Sequence, residues 1–190
     1  MFHRSERLLL RPVWPEDWQA VYGGIADEDV VRNLARAPWP YSPQDARDFV
    51  ARTADPKFPK FLITLARSAQ VVGCIGIDAT EEHATAVELG YWVARSHWGQ
   101  GIATEAGRAA IEVARVLGHR QVTASHFLDN PASGRVLEKI GFSPTGRIVA
   151  RHSCGRGEEA MTVEYALDLN SVERCETVML QVAHSQVSAA

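Results

Sequence analysis

HWGQGIATEAGRAAIEVARVLG, residues 97–118, reads as a glycine-bearing turn running straight into an alanine-rich helix. Ala103, Ala106, Ala110, Val113 and Leu117 fall on one face at three- and four-residue spacing. The spacing predicts a helix over 101–117 whose small-residue face can lie close against a sheet. Gly118 is placed to end it. At the other end, backbone N–H groups from Gly99 to Thr104 converge at the positive end of the helix dipole. Glycine at 99 and 101 removes the Cβ atoms that would keep a ligand away. The stretch has no lysine and no Gly-Lys-Ser/Thr triplet, so it does not fit a loop that hydrolyses nucleoside triphosphates. A dinucleotide-binding turn needs a third glycine after the first strand; here the turn comes late and position 104 is Thr. Local geometry leaves two readings: a pyrophosphate held without metal, or a tight strand-to-helix turn that holds nothing.

Outward from this helix the pattern alternates between strands and helices. Upstream, 60–67 and 70–79 are β-prone runs joined by a short polar link, and 84–94 is a third strand. Earlier still, 7–13 reads as a strand, 15–27 and 27–36 as helices, and 37–43 as a loop with three prolines. A helix over 42–52 has Ser42 as N-cap and Pro43 at its first position. Downstream, 120–128 is a strand. A helix over 130–141 opens on Asn130 and Pro131 and ends at Gly141, and 142–153 and 158–169 are final strands. The consecutive strands predict an antiparallel meander and the later helices predict parallel crossovers. The sum is an α+β fold: a single mixed, mostly antiparallel sheet of about seven strands flanked by helices. One domain is expected over 1–169, with a polar tail over 170–190 of loose or partner-dependent structure.

Bulk properties agree with an ordinary soluble domain. The chain has 190 residues, 46% hydrophobic and 23% charged, with a formal net charge of −3. That balance gives no sign of general nucleic-acid or membrane binding. No apolar run approaches the roughly 18 residues of a membrane span, and the start lacks a signal-peptide core. Cys74, Cys154 and Cys175 are scattered and odd in number, so a reducing cytoplasm is the expected location. The seven histidines show no metal-ligand spacing, and no metal is expected.

The stretch ELGYWVARSHWGQGIATEAGRAAI, followed some thirty residues on by NPASGRVLEKIGF, resembles the GNAT superfamily of acyl-CoA-dependent N-acetyltransferases. It is most similar to the branch that includes the ribosomal-protein-alanine acetyltransferases RimJ and RimL, and the resemblance covers about residues 4–168. The fold it implies is the acyl-CoA N-acyltransferase fold, and the phosphate it implies is the pyrophosphate of coenzyme A. Two positions depart from the superfamily pattern. Ser96 stands where Arg or Gln is frequent. Leu137 stands where many members carry a tyrosine that protonates the leaving thiolate, a tyrosine the RimJ/RimL-like branch commonly lacks too.

Acetyl transfer to an amine needs a deprotonated amine, a polarised thioester carbonyl and stabilisation of the departing thiolate. The resemblance implies that Tyr91, Trp92, Val93 and Ala94 offer backbone groups to the cofactor's pantetheine arm. It implies that Gly99, Gln100, Gly101, Ile102, Ala103 and Thr104 hold its pyrophosphate. Glu88 is the candidate base, directly or through water; as a plain strand residue it would sit in an ion pair. Asn130 would bond the cofactor, cap its helix, or both. Ser133, one turn on, would donate to the thiolate. Arg135, with Arg95 and Lys139, could reach the outer phosphates or be solvated charges. Trp39 and Tyr41 would wall the acceptor site or pack. Trp98 is expected to anchor the turn. No cysteine stands as an evident acyl carrier. The expected activity is acetyl-CoA-dependent N-acetylation of a primary amine, on a protein N-terminus or a small molecule, by direct transfer in a ternary complex, with room for a homodimer. The alternatives are an acyltransferase using another acyl-CoA, a non-catalytic acyl-CoA-binding regulator, or an interaction protein with an empty turn.

Overall fold

Ser42 shows how local sequence starts these elements. Its hydroxyl accepts from the Asp45 N–H while the Asp45 carboxylate accepts from the Ser42 N–H, a reciprocal cap that launches the helix Pro43–Ala51. The computed structural model describes residues 1–52, 55–80 and 86–170. The expected tail over 170–190 and the start of the 84–94 strand therefore lie almost wholly outside the described residues.

The strands are β1 (His3–Arg4), β2 (Leu8–Pro12), β3 (Lys60–Leu65), β4 (Val71–Ala79), β5 (Ala86–Val93), β6 (Gln121–Phe127), β7 (Ser143–Ser153) and β8 (Glu158–Asp168). The α-helices are α1 (Trp18–Ile25), α2 (Glu28–Val31), α3 (Pro43–Ala51), α4 (Ile102–Val116) and α5 (Pro131–Lys139). One sheet has the order β1-β2-β3-β4-β5-β6-β8-β7. Every neighbouring pair is antiparallel except β5–β6, which the α4 crossover makes parallel. The mixed, mostly antiparallel sheet is as expected, with eight strands rather than about seven. The added one, β1, is two residues paired to β2 and too short to carry a hydrophobic pattern.

Alternation along the strands sends side chains to two cores. Phe61, Ile63, Ile75, Val87 and Leu89 face α4. Leu62, Cys74 and Trp92 face α1 and α3, together with Val21, Ile25, Ala46 and Val50. On the α4 side, Ala106, Ala110 and Val113 are buried, so the small-residue face lies on the sheet. On the other side, a Cβ at Gly24 would stand 2.9 Å from the Trp92 indole, so glycine there lets α1 close over the ring.

The segment expected to be helical over 27–36 is one turn only. Asp27 caps it and its side chain accepts from the Asp29 N–H. Beyond Val31 the chain is claimed by the β7–β8 turn. The Ser153 hydroxyl donates to the Leu34 carbonyl (2.9 Å), the Cys154 N–H to Ala35 (2.8 Å) and Arg156 to Arg32 (2.8 Å). These long-range bonds take carbonyls that further helical turns would have used.

Candidate active site

The sheet is forked at its centre. β5 pairs with β4 as far as Val93, but with β6 only at Ala86–Gln121, Val87–Val122 and Glu88–Thr123. Past Glu88 the two strands part, and the β6-facing edge of Leu89–Val93 has no strand beside it. A cleft of about 900 Å³ occupies the fork and opens onto both faces of the sheet.

The turn before α4 lines one end of the cleft through Gly99, Gly101, Ile102, Ala103 and Thr104. Gly99 (φ 73°) and Gly101 (φ 76°) adopt the left-handed backbone that glycine tolerates best. The first backbone bond of the helix is from the Glu105 N–H to Gly101 (3.0 Å), and no side chain caps α4. The N–H groups of Ile102, Ala103 and Thr104 are left as orphan donors at the positive end of a 15-residue helix. The Trp98 indole donates to the Val93 carbonyl at 2.7 Å and ties the turn to the end of β5; the anchor is this bond and not ring packing, because the ring is exposed. From behind, the Glu105 carboxylate accepts from the Arg7 N–H (2.7 Å), the Arg7 Nε (2.8 Å) and the Ser5 hydroxyl (2.7 Å). Burial alone would raise the Glu105 pKa. The Arg7 N–H, the Ser5 hydroxyl and the Arg7 guanidinium outweigh it and hold the carboxyl below the usual range.

Several residues expected around the cofactor do not face the cleft. The Ala94 N–H is spent on Val72 (2.8 Å), which extends the β4–β5 pairing. The Gln100 side chain folds back onto the Ser96 carbonyl (3.2 Å), and its own carbonyl accepts from Arg7 (3.1 Å). Arg95 is drawn away by Asp29 (2.8 Å) and Asp27 (3.6 Å) at the start of α2. Trp39 is 40% exposed and does not line the cleft; Pro38 takes that place in its loop. Tyr41 does line it and is buried, and burial, with Asp45 adding, pushes its phenol up to about 12.

Asn130, Ser133, Arg135 and Lys139 line the cleft from α5. Asn130 is a true cap: its side chain accepts from the Ser133 N–H at 3.3 Å. The Ser133 hydroxyl lies 2.7 Å from the Tyr91 phenol. Tyr91, Val93 and Leu89 alternate onto the α4–α5 side of β5, while Glu88, Gly90 and Trp92 alternate onto the other. Glu88 and Ser133 therefore reach the cleft from opposite faces of the sheet. Leu137 is only 1% exposed, packed into the core below.

Glu88 is not an isolated carboxylate. Arg151 binds its Oε1 at 2.5 Å, and Arg36 stands 3.7 Å from its Oε2. Directly opposite on β4 is Asp78, held by Lys60 (2.9 Å) and Arg36 (3.1 Å). Two like charges across a strand pair repel, and the interleaved cations offset that. The sequence did not reveal this set: Asp78 meets Glu88 only once the β4–β5 register is known. Cys74 also lines the cleft from β4, but burial pushes its thiol up to about 12, so it is not poised as a thiolate nucleophile.

Comparison with known proteins fits this fork-and-turn arrangement. Residues 7–143 match the family model described as Acetyltransferase (GNAT) domain. The chain belongs to the GNAT acetyltransferase family. An N-acetyltransferase of Bacillus subtilis, YoaA, is 26% identical over 146 residues, covering 75% of this chain and 82% of its own. The crystal structure of a GNAT-family acetyltransferase from Bacillus anthracis superposes with a TM-score of 0.76 at 26% identity, covering 88% of this chain and 98% of the other. RimL, a ribosomal alpha-N-protein acetyltransferase solved in complex with coenzyme A, shares the fold with a TM-score of 0.76 at 21% identity. That match covers 90% of this chain and 99% of RimL. This GNAT protein is an acetyltransferase, with Glu88 at the crotch of the fork.

Proposed function

We propose that this acetyltransferase uses acetyl-CoA to acetylate a primary amine by direct transfer while both are bound. The observation that carries the reading is the fork: an open strand edge, a turn of orphan N–H groups at its far end, and a carboxylate at its base.

The residues fit the cofactor. Its pyrophosphate matches the orphan donors of Ile102, Ala103 and Thr104, approached over Gly99 and Gly101. Its pantetheine amides match the backbone edge of Leu89–Val93 that β6 leaves open, apart from the Val93 carbonyl, which Trp98 takes. Arg135 and Lys139 supply positive charge beyond, and Asn130 caps α5 beside the arm. RimL in complex with coenzyme A supports the same ligand here. When bound, acetyl-CoA supplies an acetyl group activated as a thioester.

The amine comes in on the α1–α3 side, past Tyr41. Arg151 hydrogen-bonds Glu88 Oε1; Oε2, with the Arg36 guanidinium no nearer than 3.7 Å, is the oxygen that takes a proton from the incoming ammonium, directly or through a water. The ammonium loses a second proton as the amide forms, which balances the thiol released. The hydroxyl of Ser133 faces the cleft from the opposite side and can donate where negative charge develops. The acceptor we favour is the α-amine of a protein N-terminus, which the RimL likeness supports, with small alkylamines as the second class.

A panel of amines, including short peptides with free and blocked N-termini, tests this by release of the CoA thiol. Turnover with free but not blocked peptides is the expected result. No thiol release with any amine, despite binding of acetyl-CoA, would leave a non-catalytic acyl-CoA-binding protein instead.

A further inference from the structure

Tyr91 is the one polar side chain that β5 directs to the α4–α5 side; its companions there are Val87, Leu89 and Val93. The ring packs against the core, and the phenol reaches the cleft 2.7 Å from Ser133 Oγ. Each hydroxyl carries a single proton, so in this pair one group donates and the other accepts. A phenol is more acidic than an alkyl alcohol and is the better donor; the serine oxygen is the better acceptor. The Ser133 hydroxyl makes no other hydrogen bond among the described residues; only its N–H serves the first turn of α5, donating to Asn130. The serine hydroxyl proton is then left over, with no other acceptor among the described residues.

We propose that Tyr91 is a positioning residue: by donating to Ser133 it turns the serine hydroxyl proton into the cleft, toward the sulfur of the bound thioester. This rests on the acetyl-CoA reading above. Burial pushes the Tyr91 phenol up to about 12, although the bond to Ser133 acts the other way. A thiol ionises near roughly 8.5, so the phenol does not give its proton up to a thiolate. The pair works as two aligned hydrogen bonds, each strengthening the next, with both protons staying on oxygen.

The test reads the thiol of enzyme-bound coenzyme A, titrated through the ultraviolet absorbance of its thiolate. In the wild-type complex that thiol should ionise below free coenzyme A. Tyr91→Phe should weaken its ionisation about three- to tenfold and lower kcat by about tenfold, with acetyl-CoA KM unchanged. Ser133→Ala should do the same or more, and the double variant should lose no more than Ser133→Ala alone. Placing 3-fluorotyrosine at 91, a stronger donor of nearly the same shape, should make the bound thiol ionise at still lower pH, and an unmoved thiol there overturns the proposal even if Tyr91→Phe folds poorly. An unmoved thiol in a folded Tyr91→Phe protein overturns the proposal, as do single losses that multiply in the double variant. Failure of the wild type to release thiol with any amine would instead overturn the acetyltransfer reading itself.

Discussion

On the α4–α5 side the cleft is walled by orphan N–H groups and by the neutral hydroxyls of Tyr91 and Ser133, with only the cations Arg135 and Lys139 beyond; on the α1–α3 side it is walled by the carboxylates Asp78 and Glu88 interleaved with Arg36, Lys60 and Arg151. The two sides meet only where β5 and β6 part. The difference matches the tasks proposed for them. A pyrophosphate can be held by partial charges alone, and neutral donors respond to charge that appears late in a reaction. An ammonium that must lose a proton needs a full carboxylate, and a carboxylate half-buried in a sheet needs cations to hold it there.

The largest effect should come from breaking the charged side. Glu88→Gln is nearly isosteric and keeps an acceptor for Arg151, so acetyl-CoA binding should survive. We expect kcat at neutral pH to fall by about two to four orders of magnitude. The deficit should shrink as pH rises and the amine loses its proton unaided. A variant with wild-type kcat from neutral to alkaline pH would show that Glu88 only anchors the Arg36–Arg151 network.

The α4–α5 side should respond in binding instead. Gly101 has φ 76°, and an added Cβ would already stand 3.5 Å from the Arg7 guanidinium. Gly101→Val forces a β-branched residue into left-handed backbone, at a cost of about 1–3 kcal/mol, which corresponds to about a fivefold to 150-fold loss of acetyl-CoA affinity if the turn relaxes out of shape. Calorimetry on the folded variant reads it, and unchanged affinity would remove the turn as the phosphate seat. Set beside Glu88→Gln, it separates a defect in kcat from a defect in Kd.

How far each side was legible in the sequence follows from the range of its interactions. The turn and α4 are local: two glycines, an alanine face and a terminating glycine within 22 residues. Asn130 and Ser133 are three apart and were readable as one helix start. Glu88 was legible as the candidate base, but the charged set around it was not. Its partners come from residues 36, 78 and 151, brought together by strand register and by the β7–β8 turn. The one-turn α2 was misread for the same reason: nothing within 27–36 announces that Ser153 and Cys154 will bond Leu34 and Ala35. The Tyr91–Ser133 pair spans 42 residues and was read as two separate roles.

Glu105 sharpens the contrast, because it is a carboxylate directly behind the orphan N–H groups of the turn. It sits in the first turn of α4, where the dipole favours it, and collects three donors from Ser5 and Arg7. Its pKa is lowered in the folded protein, so the stability it gives is fully present above the unfolded value of roughly 4.3 and is lost as pH falls through the lower folded value. Glu105→Gln keeps one acceptor oxygen and loses the charge. We expect a loss of about 1–2 kcal/mol at pH 7, or a Tm lower by about 2–8 °C for a chain of this size. The gap should hold to about pH 5 and close below about pH 4 as the wild-type carboxyl protonates. Acetyl-CoA affinity should stay level or rise slightly, because a negative charge behind the turn opposes a pyrophosphate in front of it. A Tm gap that does not change with pH would mean that the side chain acts by packing rather than by charge. A marked loss of affinity would mean that the bonds from Ser5 and Arg7 shape the turn itself, making the orphan N–H groups depend on one ionised group behind them.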